Sequence, residues 1–357
     1  MKIVCKRSEL LGAARRAAGV IEAKSTSPIL ATVLIDAGTS GVTADATDLV
    51  QWVHTAAPCE TLDAGGVAMP ARDLIEMLDT MPEGPVHLES GAENKIVLRG
   101  GKRRFTIQGM PAEDYPSKPT KRSDWTALPG SVLIDLFKLV GHAKAGTERP
   151  NLAGVHLTSN GKEIEAFATD GRYCCAARRE VEAGEWTRYV PSRAVASLET
   201  LIGKTERIEI ALPKHNFAVR VGATVYTTKL LQDEPPDWRK YVPAQLTTVA
   251  RAPRKNLALA LRAAALVDVE CLWQIEDGKI VLRTTNPDRG EVVEEIDAET
   301  TGPTAVMALE VKAVRDTLDP LTSEDVEIKC LDSATPVVVG CVGDERFTAL
   351  WMPLLRK

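Results

Sequence analysis

Two aspartates stand 122 residues apart in closely similar surroundings, Asp48 in Ala46-Thr47-Asp48-Leu49 and Asp170 in Ala168-Thr169-Asp170-Gly171. A pair of carboxylates facing one substrate could do general acid–base work. Their placement argues for another role. Each follows a threonine at the end of a strand-like stretch, where a side-chain oxygen can satisfy the N–H groups of a turn. Gly203-Lys204-Thr205 has the ending of a phosphate-binding loop, but position 198, where that motif needs glycine, is leucine, and the surrounding pattern is helical. Neither HExxH nor GxSxG occurs. The five histidines (His54, His87, His142, His156, His215) lack ligand spacing. The seven cysteines include the adjacent pair Cys174-Cys175 but no CxxC, so buried reduced thiols are expected in place of a metal or redox site. No catalytic residue, metal or cofactor is expected.

The elements that must carry these residues repeat. Ala46-Thr47-Asp48-Leu49 and Ala168-Thr169-Asp170-Gly171 have a weaker third counterpart in Thr284-Thr285-Asn286-Pro287. Met69-Pro70-Ala71-Arg72-Asp73-Leu74 is followed by Val190-Pro191-Ser192-Arg193-Ala194-Val195 and by Leu309-Glu310-Val311-Lys312-Ala313-Val314. Aromatic positions Phe105, Tyr226 and Phe347 are spaced 121 and 121. Three markers sharing one period, in a chain of 357 residues, describe a triplicated unit of about 119. Domains are expected at 1–120, 125–243 and 245–357, with Pro-containing polar linkers at 116–124 and 243–249.

Within a unit the order reads helix, strands, helix, strands, an α+β pattern. Ser8 is the expected cap of a first helix running to about Gly19, with Leu10, Leu11, Ala14 and Ala18 on one side. A proline-led helix follows over 71–80. Segments 28–37, 86–90 and 95–99 alternate as strands. The 44% hydrophobic content suits a soluble globular protein. No apolar run of membrane-spanning length occurs, and the N-terminus lacks the pattern of a signal peptide, so a cytoplasmic location and no membrane partner are expected.

Thr26-Ser27-Pro28-Ile29-Leu30, Ala168-Thr169-Asp170-Gly171-Arg172, Pro236-Asp237-Trp238-Arg239-Lys240-Tyr241-Val242-Pro243 and the ending Leu350-Trp351-Met352-Pro353-Leu354 together resemble the bacterial DNA polymerase III beta subunit family of sliding clamps. The resemblance runs in order along essentially the whole chain. It implies three DNA-clamp domains per chain, each with two inner helices and outer antiparallel sheets, and a six-domain ring made by a head-to-tail homodimer. Such a ring encircles double-stranded DNA without reading its sequence, and confers processivity without catalysis. A separate clamp loader opens it, and DNA polymerases and other proteins with a clamp-binding motif dock into a groove.

Six inner helices chosen on that basis (6–20, 71–80, 131–144, 192–204, 251–266, 310–318) hold 15 Lys/Arg and 8 Asp/Glu, or +7 in a chain of net charge −5. Sliding needs phosphate contacts without base readout. The candidates are Arg7, Arg15, Lys24, Lys138, Arg149, Arg193, Lys204, Arg254 and Lys255. The resemblance maps the partner-peptide groove onto Leu152, Thr169, Gly171, Arg172, Tyr173, Cys174, Pro236, Lys240, Tyr241, Leu350, Met352, Pro353 and Leu354. Relatives usually continue the Thr-Asp-Gly turn with His-Arg-Leu, against Arg172-Tyr173-Cys174 here, and bulky Tyr241 stands where a small aliphatic residue is frequent, so a groove that is narrower or favours a different peptide is expected. Phe105 and Ile107 would meet Ala265 and Leu266 of a second chain. The connection Val267-Asp268-Val269-Glu270 is shorter than usual. Two other readings are a divergent clamp-like DNA-binding paralogue with altered partners and an enzyme on a repeated scaffold, for which no site is visible.

Overall fold

The computed structural model describes residues 1–22, 27–119, 124–143, 149–232, 234 and 236–355. Its first helix, α1 (Arg7–Ala18), buries Leu10, Leu11, Ala13, Ala14 and Ala17 on one face. Ser8 is not its cap. Strand Lys2–Lys6 runs into α1 without a loop, Lys6 occupies the capping position with extended backbone, and the Arg7 N–H is satisfied by Gly84 O at 2.9 Å. The second helix, α2 (Ala71–Thr80), matches its expected span and buries Leu74 and Leu78. The expected strand 28–37 opens as a 3-10 turn, Pro28–Ala31, and the strand proper is Thr32–Gly38.

The remaining helices are α3 (Gly130–Val140), α4 (Ser192–Ile202), α5 (Arg254–Val267) and α6 (Val311–Leu318). Arg251, expected on the fifth helix, instead lies on strand Thr248–Pro253 and pairs with Glu327 at 2.8 Å. With the observed bounds the six helices carry 11 Lys/Arg and 7 Asp/Glu, +4 and not +7.

The chain divides into two compact units, Met1–Gly130 with Ala196–Leu230, and Ser131–Val195 with Leu231–Lys357. In the first, a five-stranded sheet runs in the order 60–63, 2–6, 85–90, 95–100, 103–108, and a nine-stranded sheet in the order 110–111, 65–70, 32–38, 41–47, 51–57, 224–229, 216–221, 207–211, 126–129. In the second, seven strands run in the order 154–169, 173–191, 344–351, 337–341, 325–330, 248–253, 299–301, and four in the order 290–297, 279–286, 270–276, 305–310. Neither unit follows the repeat boundaries, because each large sheet passes from one repeat into the next.

In the first unit the join is antiparallel pairing of strand Gln51–Ala57 with Thr224–Lys229, setting Gln51 opposite Thr228 and Val53 opposite Tyr226. In the second, strand Tyr173–Pro191 pairs with Asp344–Trp351, setting Cys174 opposite Leu350 and Ala177 opposite Phe347. Each sheet turns an apolar face inward. Val33, Ile35, Val67 and Met69 are buried in the first unit, and Val326, Ile328, Val337 and Val339 in the second. Trp351 is fully buried, its ring 6.1 Å from Trp273 and its indole N–H donating to Thr317 Oγ1 at 3.3 Å.

Candidate functional site

Turns of one design close the hairpins that lead into the two joins. Asp48 Oδ1 accepts from the N–H groups of Val50 (2.9 Å) and Gln51 (2.6 Å), and Asp170 Oδ1 accepts from those of Arg172 and Tyr173, both at 2.8 Å. Thr47 and Thr169 each donate to the carbonyl four residues on, at 2.7 Å. In the third copy Asn286 Oδ1 accepts from Asp288 N at 3.0 Å. The aspartates hold turns, as expected. Position i+2 of the turn needs a positive φ, which Gly171 supplies at +90° and which Leu49 adopts at +73°.

The Thr169–Tyr173 turn forms one wall of a small cavity of about 170 Å³ in the second unit. Nine of the expected residues line it: Thr169, Gly171, Arg172, Tyr173, Cys174, Pro236, Tyr241, Leu350 and Met352. Phe167, Trp238 and Pro336 line it as well and were not foreseen. Phe167 is legible in retrospect, because it sits two residues before Thr169 and shares its side of the strand. Behind the cavity Phe167, Cys174, Ala176 and Leu350 form a packed cluster on which Trp238 rests. The last strand is tied to the turn by Met352 N donating to Arg172 O at 3.0 Å.

Four expected wall residues stand off the cavity. Leu152 lies against Gly171 outside the lining. Lys240 is exposed, with its ammonium 3.9 Å from Asp237. Past Met352 the chain leaves the cavity: Pro353 is buried, and Leu354 N donates to Ala308 O at 2.8 Å.

The two departures from the family pattern act differently. Tyr173 is buried, and its hydroxyl accepts the Glu310 N–H at 3.1 Å, so most of its ring supports the start of α6. Tyr241 is 61% exposed at the mouth. Burial pushes both the Tyr173 phenol and the Cys174 thiol up to about 12, so both walls stay uncharged near neutral pH. The cavity is mostly apolar, and the Thr169–Tyr173 turn closes one side of it.

Arg149, expected among the phosphate contacts, lies against the turn that walls this groove. Its guanidinium donates to Asp170 O at 2.8 Å, and a Cβ on residue 171 would stand 2.3 Å from Nη1, so glycine permits the approach. Arg7 and Arg254 are equivalent to each other and have internal duties. Arg7 donates to Leu78 O at 3.3 Å and pairs with Glu83, while Arg254 donates to Leu318 O at 3.3 Å and Ser323 O at 3.1 Å. Each fastens the C-terminal carbonyls of the neighbouring helix, α2 or α6. Arg15 is exposed and paired with Asp79 at 2.6 Å. Lys138, Arg193, Lys204 and Lys255 are exposed on or just after their helices, and Lys24 lies outside the described residues. Phe105 and Ile107 are half-buried on strand Arg103–Gln108, the edge of the five-stranded sheet. Ala265 is exposed, and Leu266 is 76% exposed at the end of α5.

Among the described residues, no group of three or more His, Cys, Asp or Glu is placed to hold a metal ion. No helix among them is long and apolar enough to cross a membrane.

Residues 1–119 match the family model for the N-terminal domain of the DNA polymerase III beta subunit, and residues 239–355 match that for its C-terminal domain. The beta sliding clamp of Synechococcus elongatus is 27% identical over 372 residues, spanning 99% of each chain. The sliding clamp structure from Bacillus subtilis matches the full length of both chains with a TM-score of 0.95 at 20% identity. The Pseudomonas aeruginosa clamp bound to griselimycin does so with 0.92 at 23%.

Proposed function

From the membership of this chain in the DNA polymerase III beta subunit family, we propose how it works as a sliding clamp: three domains, 1–120, 125–243 and 245–357, close with those of a second chain around duplex DNA. It is a non-catalytic processivity factor. One observation carries the closure. Strands 51–57 and 173–191 each leave a Thr-Asp turn and pair with the strand bearing Tyr226 or Phe347. The remaining counterparts, Gly290–Asp297 after the Thr-Asn turn and Arg103–Gln108 bearing Phe105, are both sheet edges with no partner strand on that side among the described residues. A second copy supplies both missing partners, head to tail, and two such joins close a ring.

The charges support that orientation. Strand 103–108 carries Arg103 and Arg104, with Lys102 beside them, while strand 290–297 carries Glu291, Glu294, Glu295 and Asp297. Unlike edges attract and like edges repel. Leu266 would gain cover beside Phe105 and Ile107.

Arg15, Lys24, Lys138, Arg193, Lys204 and Lys255 are the proposed phosphate contacts. Flexible cations exchange phosphates without reading bases. The apolar groove would take the clamp-binding segments of DNA polymerases, other partners and the clamp loader, in the cytoplasm.

Light scattering over a dilution series tests the closure. A particle near twice 38.6 kDa that persists on dilution is expected. A monomer at every concentration would overturn it.

A further inference from the structure

Strand Gly154–Thr169 borders a second hollow beside the groove. This trough has a volume of about 470 Å³ and shares Phe167, Pro236 and Trp238 with the groove. The Phe167 and Trp238 rings stack at 6.4 Å, 18° from parallel, and form the sill between the two. The groove side of the sill is apolar. The other side is acidic: Glu163, Glu165, Glu234 and Asp237 line the trough, against the single guanidinium of Arg239.

Two of the four carboxylates are already occupied. Glu165 pairs with Arg239, whose guanidinium lies 4.7 Å over the Trp238 ring. Asp237 accepts the Arg239 N–H at 3.3 Å and lies 3.9 Å from the Lys240 ammonium. Glu163 has only the Asn160 amide, at 3.2 Å, and neither it nor Glu234 forms an ion pair with a described residue. His156 does not offset them, since burial lowers its pKa although Glu234 lies near. The carboxylates are too spread to hold one metal ion together. Their charge repels the phosphates of nucleic acid. Distributed acids next to an apolar groove suit the side chains of an extended peptide, which advances about 3.4 Å per residue.

We propose that the trough is a second recognition element for the peptides that fill the groove, taking a lysine or arginine placed a few residues from their apolar anchor, between Glu163 and Glu234. This rests on the peptide-groove reading above and deepens it, by naming a charge preference on the far side of the Phe167–Trp238 sill.

The test uses the full-length protein and fluorescein-labelled peptides with one apolar core, Leu-Ser-Leu-Phe, flanked on either end by Arg-Arg, Glu-Glu or Ser-Ser. Fluorescence anisotropy reads their affinities. With one of the two ends carrying arginine, binding is expected to be about fivefold or more tighter than with glutamate there, and the gap to shrink in about 0.5 M salt. In the Glu163→Gln/Glu234→Gln variant the gap closes while the Ser-flanked peptide binds unchanged, which also shows that the variant is folded. Equal affinity of Arg- and Glu-flanked peptides at both ends overturns the trough and leaves the groove standing. Failure of all the peptides to bind overturns the groove reading, and the trough with it.

Discussion

The joins inside this chain and the edges it leaves open use equivalent strands but opposite chemistry. Between strands 51–57 and 224–229, Thr55 and Thr224 share a hydrogen bond at 2.8 Å, and Gln51 Oε1 accepts from the Tyr226 hydroxyl at 2.6 Å, all in buried positions. Between 173–191 and 344–351, Cys174 pairs with Leu350, Cys175 with Ala349 and Ala177 with Phe347, again buried. The open edges carry arginine on one strand and glutamate on the other. A join within one chain forms at a high effective concentration and can be neutral and dry. An edge that must stay soluble until it finds a partner is protected by charge, and the same charge selects the partner's edge.

Reversing that charge should have the largest effect. Arg103→Glu/Arg104→Glu is expected to weaken association by about 3 kcal/mol or more, seen by light scattering as a shift toward 38.6 kDa. Adding Glu294→Lys/Glu295→Lys to the same chain restores unlike edges and should restore the dimer. If the fourfold variant stays monomeric, the charge account of the open edges fails.

At the inner join the response should be of the other kind. Gln51→Leu removes the acceptor used by Tyr226 and, at 2.9 Å, by the Ser197 hydroxyl. A loss of about 2 kcal/mol in unfolding stability is expected, measured by denaturant titration, with the mass in solution unchanged. A change in mass with no loss of stability would erase the distinction between the two kinds of join.

The hairpin beside the second join has an acid-sensitive component. Asp344 begins strand Asp344–Trp351 opposite Cys341, before the residues that pair across the join, and the hydrogen bond from Arg346 holds its carboxyl down at about 2. A depressed folded-state value contributes stability above the unfolded value, near 3.9, that is lost as pH falls through about 2. The group is partly exposed, so about 1 kcal/mol is expected. Asp344→Asn should flatten the stability–pH curve over that window, and an unaltered curve would show that the pair contributes nothing.

The smallest effect concerns the turns before the joins. Leu49 holds the left-handed conformation that Gly171 takes in the second turn. Leu49→Gly should gain about 0.5 kcal/mol, relief of strain being partly offset by a freer unfolded chain. Thermal unfolding would register it, and a loss of stability would mean that the Leu49 side chain makes a favourable contact.

Local signals were legible in the residues alone. The 71–80 helix, the turn-holding aspartates and the three-fold period all follow from nearest-neighbour chemistry: apolar spacing, a side chain reaching its own backbone, and repetition itself. Nine of the thirteen groove positions carried over from the family pattern also line the cavity. Structure departs from the local pattern where a distant segment supplies the partner. Ser8 was not needed as a cap because Gly84 provides a carbonyl, and Arg251 joined a strand because Glu327 lies across from it.

The sequence by itself therefore determined the repeated markers, the turns and the helix over 71–80, whose signals lie within a few residues. Only the tertiary structure decided what several of the cations touch. It turned Arg7 and Arg254 onto the ends of neighbouring helices and brought Arg149 to the turn that walls the groove. It also stacked Trp238 on Phe167 to divide an apolar hollow from an acidic one. A side chain's partner depends on chain segments many residues away, and no local pattern encodes which of them arrives.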